Sequence, residues 1–231
     1  MIRFISLFAI TALFGGSLPA WSATHAPVPV HIRGTIQRMA GDLLTVRSAS
    51  GPVWVRLASP LKVEALVPSS LSHVKDGSFV GITSVPQPNG SQRAVEIHVF
   101  PKSMRGAGEG TRPWDWPGRS SAGSASHSRM TNGTVSHLRK PGRSPRSRMT
   151  NGTVTREHGR SALTVRYRTG AATGSQTIII PAHVPVVTFV SGSRSDLKPG
   201  AHVFIMAARH PNGKLTAGNI LVGKNGVVPP M

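Results

Sequence analysis

Apolar and polar residues alternate in short runs along most of this chain, beginning at VPVHIRGTIQR (28–38), where Val28, Val30, Ile32 and Gly34 fall on one side of an extended backbone. A period of two predicts a strand with one buried face. Further β-rich runs follow at LLTVRS (43–48), VWVRLA (53–58), KVEAL (62–66), SFVGITSV (78–85) and RAVEIHVF (93–100). The turn-rich PSSLSHVKDG (68–77) interrupts them, and Asn89-Gly90 suits the positive φ angles of a hairpin turn between the last two. Five or six strands between residues 24 and 100 predict a small all-β barrel or sandwich.

The second half repeats the plan. GTIQRMAGDLLTVRS (34–48) answers to GTVTREHGRSALTVRY (152–167), VKDGSFVGI (74–82) to LKPGAHVFI (197–205), and PNGSQRAVEIHV (88–99) to PNGKLTAGNILV (211–222). QTIII (176–180) and VPVVTF (184–189) take the places of VWVRLA and KVEAL. Strand number and the mid-chain interruption favour two small OB-like β-barrels in tandem, 24–100 and 149–231, each a five-stranded, partly open Greek key. A Gly/Trp clasp (101–116) and a long basic disordered linker (117–148) are expected to join them.

A shorter repeat marks the linker, because SRMTNGTV occurs at 128–135 and again at 147–154. The downstream copy is expected to open the second barrel. The upstream copy lies in a stretch rich in Ser, Gly, Pro and Arg, with too few apolar residues to offset the entropy of ordering, so it is expected to be linker.

Residues 1–23 read as a cleaved signal peptide: a basic start, an apolar run from Phe4 to Phe14, and SLPAWSA with small residues suited to cleavage between Ala20 and Ala26. The run is too short for a bilayer span, and no transmembrane span is expected in the mature chain. A periplasmic or secreted protein follows. Its lack of cysteine excludes thiolate nucleophiles, thiolate zinc sites and iron-sulfur clusters.

Charge bears on partners, since 27 Lys and Arg against 8 Asp and Glu give a formal net charge of +19. Arg129, Arg139, Lys140, Arg143 and Arg146 crowd the linker without an acidic residue among them, a pattern that attracts anionic polymers. In PKSMRGAGEGTRPWDW (101–116), Arg105, Glu109, Arg112, Trp114 and Trp116 combine anion-gripping, acidic and flat apolar groups around a glycine-rich bend, and form the candidate binding set. Pro113 and Pro117 argue against the helix N-terminus that a phosphate loop needs.

Ten histidines offer weak metal candidates, foremost His98 with Glu96 on the same strand face. Asp76 and Asp196 stand at matching turns and are expected to organise backbone. So few carboxylates, and no G-x-S-x-G, H-E-x-x-H or P-loop motif, point away from an enzyme. Nucleic acid is disfavoured by the scarcity of exposed aromatics beyond Trp54 and Tyr167.

The run EIHVFPKSMRGAGEGTRPWDW, then MTNGTV, then VVTFVSGSRSDLKPGAHVFIMAARHPNGKLTAGNILVGKNGVVPPM resembles a family of small exported bacterial proteins carrying a tandem OB-like domain of unknown function, some labelled metal ABC transporter permease. Lys102, Thr111 and the basic insertion depart from that pattern. The resemblance implies no catalytic residues and no cofactor, and a permease would need several long apolar helices. The sequence therefore predicts a non-catalytic envelope binding or scaffolding protein whose partner is an envelope protein or an anionic envelope polymer. The alternative is a soluble accessory to metal transport.

Overall fold

The computed structural model describes residues 26–116, 128–139 and 161–229. The chain is all-β. Its strands are β1 (Val28–Ala40), β2 (Leu43–Ser48), β3 (Gly51–Pro68), β4 (Phe79–Pro86), β5 (Gln92–Val99), β6 (Gly110–Trp114), β7 (Ser128–Arg139), β8 (Ser161–Thr169), β9 (Ala172–Ile180), β10 (Val186–Ser191), β11 (His202–Arg209) and β12 (Leu215–Gly223). Three single-turn 3-10 segments, Leu71–His73, Lys102–Met104 and Arg194–Asp196, punctuate them. Asp196 organises its own turn, its carboxylate accepting the Ser193 backbone N–H at 2.8 Å, whereas the Asp76 carboxylate reaches out of its turn to accept the backbone N–H of Leu138 in β7 at 3.1 Å.

Hydrogen-bonded pairing closes two rings of five strands. Ring one runs β1-β2-β3-β12-β11 and back to β1, and ring two runs β7-β8-β9-β5-β4 and back to β7. In each, the closing partners are one antiparallel pair (β1 with β11, β4 with β7) and one parallel pair (β3 with β12, β5 with β9). Each ring has its own apolar interior. Ile36, Leu44, Val46, Val55, Ile205 and Ile220 fill the first, and Val80, Ile82, Ile97, Leu163, Val165 and Ile178 fill the second.

This pairing corrects the division of the chain into 24–100 and 149–231. Ring one takes its last two strands from the C-terminal half, and ring two takes β4 and β5 from the N-terminal half, so the halves have exchanged hairpins. One constant offset carries Phe79 to His202, Gly90 to Gly213 and Leu66 to Phe189. The two hairpins thus present equivalent apolar patterns, and either could close either ring. The end of β3 joins both ladders: Glu64, Ala65 and Leu66 stay registered against β12 on one edge and pair antiparallel with β10 on the other, with Leu66 directly opposite its equivalent Phe189. β10 also runs parallel to β5, which ties the rings into one sheet.

The linker expectation is also corrected. The upstream copy of SRMTNGTV is the start of β7, paired with β4, β6 and β8, whereas the downstream copy (147–154) lies outside the described residues. The residues C-terminal to each copy explain the choice. Three positions after Val135 comes Leu138, which packs against the core of ring two as Met39 packs in ring one. Three positions after Val154 comes Glu157, which would put a carboxylate there. The signal peptide (1–23) and linker residues 117–127 and 140–148 also lie outside the described residues.

Gly34 and Gly133 hold matching places beside bulges in β1 and β7. A Cβ at either would lie 2.2 Å from a backbone oxygen, that of Arg47 or Arg166. Overpacking against main chain has no soft partner to yield, so Gly133→Ala is expected to lower stability by at least about 2 kcal/mol. Urea unfolding checks this, and an unchanged midpoint would contradict the close approach.

Candidate functional site

The segment 101–116 leaves β5, turns on Gly106, Gly108 and Gly110, all at positive φ, and returns as β6 along β7. Its first part grips ring two. Arg105 donates from Nη2 to the Gly77 carbonyl at 2.6 Å and from Nη1 to Thr134 Oγ1 at 3.3 Å. Glu109 accepts from the Arg168 backbone N–H at 3.3 Å, with the Arg168 guanidinium 4.0 Å from its other oxygen.

Its last part reaches ring one. Trp114 packs against the rings of His31 and Phe204, with centroids 4.7 and 6.2 Å away. Asp115 accepts hydrogen bonds from Arg33 and lies 2.8 Å from His31 Nδ1. Partial burial opposes its ionisation, but the bonds from Arg33 and His31 outweigh that and hold its pKa down at about 2. Beneath lies a third apolar cluster, Leu66, Met130, Val187, Phe189, Phe204 and Leu221, drawn from both rings.

The five residues expected to form one binding set are therefore divided. Arg105 and Glu109 line a groove of about 840 Å³ with Arg166, Tyr167, Arg168 and Ser175. Arg112 turns away, donating to the Gly108 carbonyl at 2.9 Å with its guanidinium over the Trp114 ring at 5.5 Å. Trp114 belongs to the contact between rings, and the Trp116 backbone N–H is held by Ser128 Oγ at 3.1 Å. Of the residues expected to attract polyanions, Arg129 is half-buried in β7 and donates to Thr111 Oγ1 at 3.2 Å, so it is not part of a loose tether. Arg139 ends β7 opposite Ala162, and Lys140, Arg143 and Arg146 lie outside the described residues.

Among the described residues, three guanidinium groups against one carboxylate leave the groove positive. Tyr167 packs its ring against Gly174, where a Cβ would lie 2.5 Å from the ring. Sequence reasoning missed Arg166 and Arg168. Their signal was present in LTVRYR, a strand whose last two outward positions are arginine, but their proximity to Arg105 and Glu109 is a matter of tertiary folding.

Glu96 and His98 are brought together but sealed off. Both lie on β5 in the contact between rings, essentially without exposure, His98 with its ring 5.6 Å from Phe189. Glu96 Oε1 and His98 Nε2 stand 2.6 Å apart, and neither has another hydrogen-bonding partner among the described residues. Two lone pairs would repel at that distance, so one proton must lie between them. Burial pushes the Glu96 pKa up to about 8 despite the attraction of Arg33, and burial pushes the His98 pKa down to about 3. The pair carries no net charge. Among the described residues no third His, Asp or Glu joins it to complete a metal site.

Among the described residues no helix is long and apolar enough to cross a membrane. No family model matches the chain, and neither a curated protein nor a solved structure matches it.

Proposed function

We propose that this chain is a non-catalytic binding protein of the bacterial cell envelope, exported by its leader, whose two rings are OB-like barrels. The groove of ring two would hold an anionic envelope polymer. The first-with-fourth antiparallel and third-with-fifth parallel closures of each ring, counted in the order of a five-stranded Greek key, support the OB-like reading. The observation that carries the function is the convergence of Arg105, Arg166 and Arg168 on one groove beside Tyr167, with Glu109 the single carboxylate lining it among the described residues. Guanidinium groups suit phosphate and carboxylate through paired N–H donors, and the hydroxyls of Thr134, Thr173 and Ser175 can serve the sugars between them.

Arg166→Ser/Arg168→Ser is expected to weaken binding to heparin or lipopolysaccharide by about tenfold or more. It should also flatten the slope of log K against log salt by roughly two, one for each cation removed. Both side chains are exposed, so the fold should survive. Titrations at several salt concentrations test this, and unchanged affinity and slope would reject the groove as the contact.

A further inference from the structure

We propose that ring one carries a second and separate binding site, a sugar-stacking platform built on Trp54 that takes acidic polysaccharide. Trp54 lies within β3, opposite Thr45 of β2, yet is 58% exposed. An indole on a regular strand is set by the ladder on its sides. Here β2 holds one edge and β12 the other, through Leu43 and Thr216, both registered against Arg56. The exposed ring is therefore presented on a rigid surface.

A cavity of about 540 Å³ adjoins it, lined by Leu43, Pro52, Trp54, Arg56, Lys214 and Thr216 among others. The backbone of Lys214 is held by the β11–β12 turn. Asn212 Oδ1 accepts the Lys214 backbone N–H at 3.0 Å, and His210 N–H donates to the Lys214 carbonyl at 2.9 Å. Neither Arg56 nor Lys214 has an ion-pair partner among the described residues. Asp42, next in sequence to the lining residue Leu43, is engaged elsewhere, with Arg194.

One flat apolar face flanked by two unneutralised cations defines the ligand chemistry. The C–H face of a pyranose ring covers the indole, and the carboxylates of uronic acid units on either side pair with Arg56 and Lys214. Single-stranded nucleic acid is the weaker fit, because it stacks successive bases on several aromatics, and Trp54 is the one aromatic lining this cavity among the described residues. The site shares no residue with the arginine groove and stands whether or not that groove binds.

The full chain titrated with hexagalacturonate, followed by tryptophan fluorescence and calorimetry, tests the proposal. A change in indole emission is expected. Trp54→Ala and Trp54→Phe should both abolish it, with Trp54→Ala weakening binding by calorimetry about tenfold or more and Trp54→Phe weakening it less. Arg56→Gln/Lys214→Gln should weaken the binding of the acidic oligomer that the Trp54 signal reports and flatten the salt dependence of that signal, and Arg166→Ser/Arg168→Ser should leave the Trp54 signal intact. Unaltered binding by Trp54→Ala overturns the platform. Equal binding of neutral cellohexaose overturns its acidic specificity. Tighter binding of oligothymidylate, or a dimer in sugar-free buffer that Trp54→Ala dissolves, overturns the polysaccharide assignment in favour of nucleic acid or of a second copy of the chain.

Discussion

His98→Leu is expected to lower the unfolding free energy by about 3 kcal/mol or more, whereas Glu96→Leu/His98→Leu should cost far less or even stabilise. The single change leaves the Glu96 carboxyl fully buried, on a residue registered opposite Thr83, with nothing to share its proton. The double change removes both desolvated groups together. Urea unfolding of the three proteins measures the contrast, and equal losses for single and double variants would mean that the two groups do not act as a proton-sharing pair.

The same pair shapes stability against pH. His98 has a native pKa of about 3 against an ordinary 6.5, so as pH falls below 6.5 the unfolded chain takes up a proton that the native state refuses. Stability drops in that direction. Glu96 has a native pKa of about 8 against an ordinary 4.5, so as pH rises above 4.5 the unfolded chain releases a proton that the native state keeps. Stability drops in that direction too. Between 4.5 and 6.5 the slopes oppose each other, which gives this pair's contribution a flat top with shoulders falling toward 3 and toward 8. The double leucine variant should lose both shoulders.

Trp114→Ala is expected to cost about 2 to 3 kcal/mol and still leave one cooperative thermal transition. The ring is half-buried against His31 and Phe204, so its truncation falls below the range for a fully buried tryptophan. Two barrels in tandem, held by a clasp, would separate into two melts once the clasp was cut. Exchanged hairpins do not allow this, because neither ring is complete without strands from the other half, and β10 bonds to both. Calorimetry distinguishes the cases, and a second resolved transition would count against the exchange as the source of cooperativity.

The strands and the duplication are legible in alternation and matched blocks, since LLTVRS is β2 to the residue and the repeated hairpins are β4–β5 and β11–β12. Their partners are not. Two hairpins with the same inward positions carry no mark in the sequence of which ring each one closes. Eight identical letters carry no preference between the copies of SRMTNGTV, and the deciding residue, Leu138, lies beyond them. For the groove, Arg105 and Glu109 stand out by their glycine-rich setting. Arg166 and Arg168 look like ordinary outward strand positions until the fold brings them alongside. The spacing of Glu96 and His98 announces a shared face, but the seal over them comes from Phe189 and the opposite ring, far along the chain.

Hairpin exchange also fixes an order of events for a chain delivered from its N-terminus. Ring two, spanning β4 to β9, has all its strands once Ile180 has emerged, but β1, β2 and β3 must wait for β11 and β12 before their edges are covered. Until Gly223 arrives, the earliest-made strands are the last to find shelter.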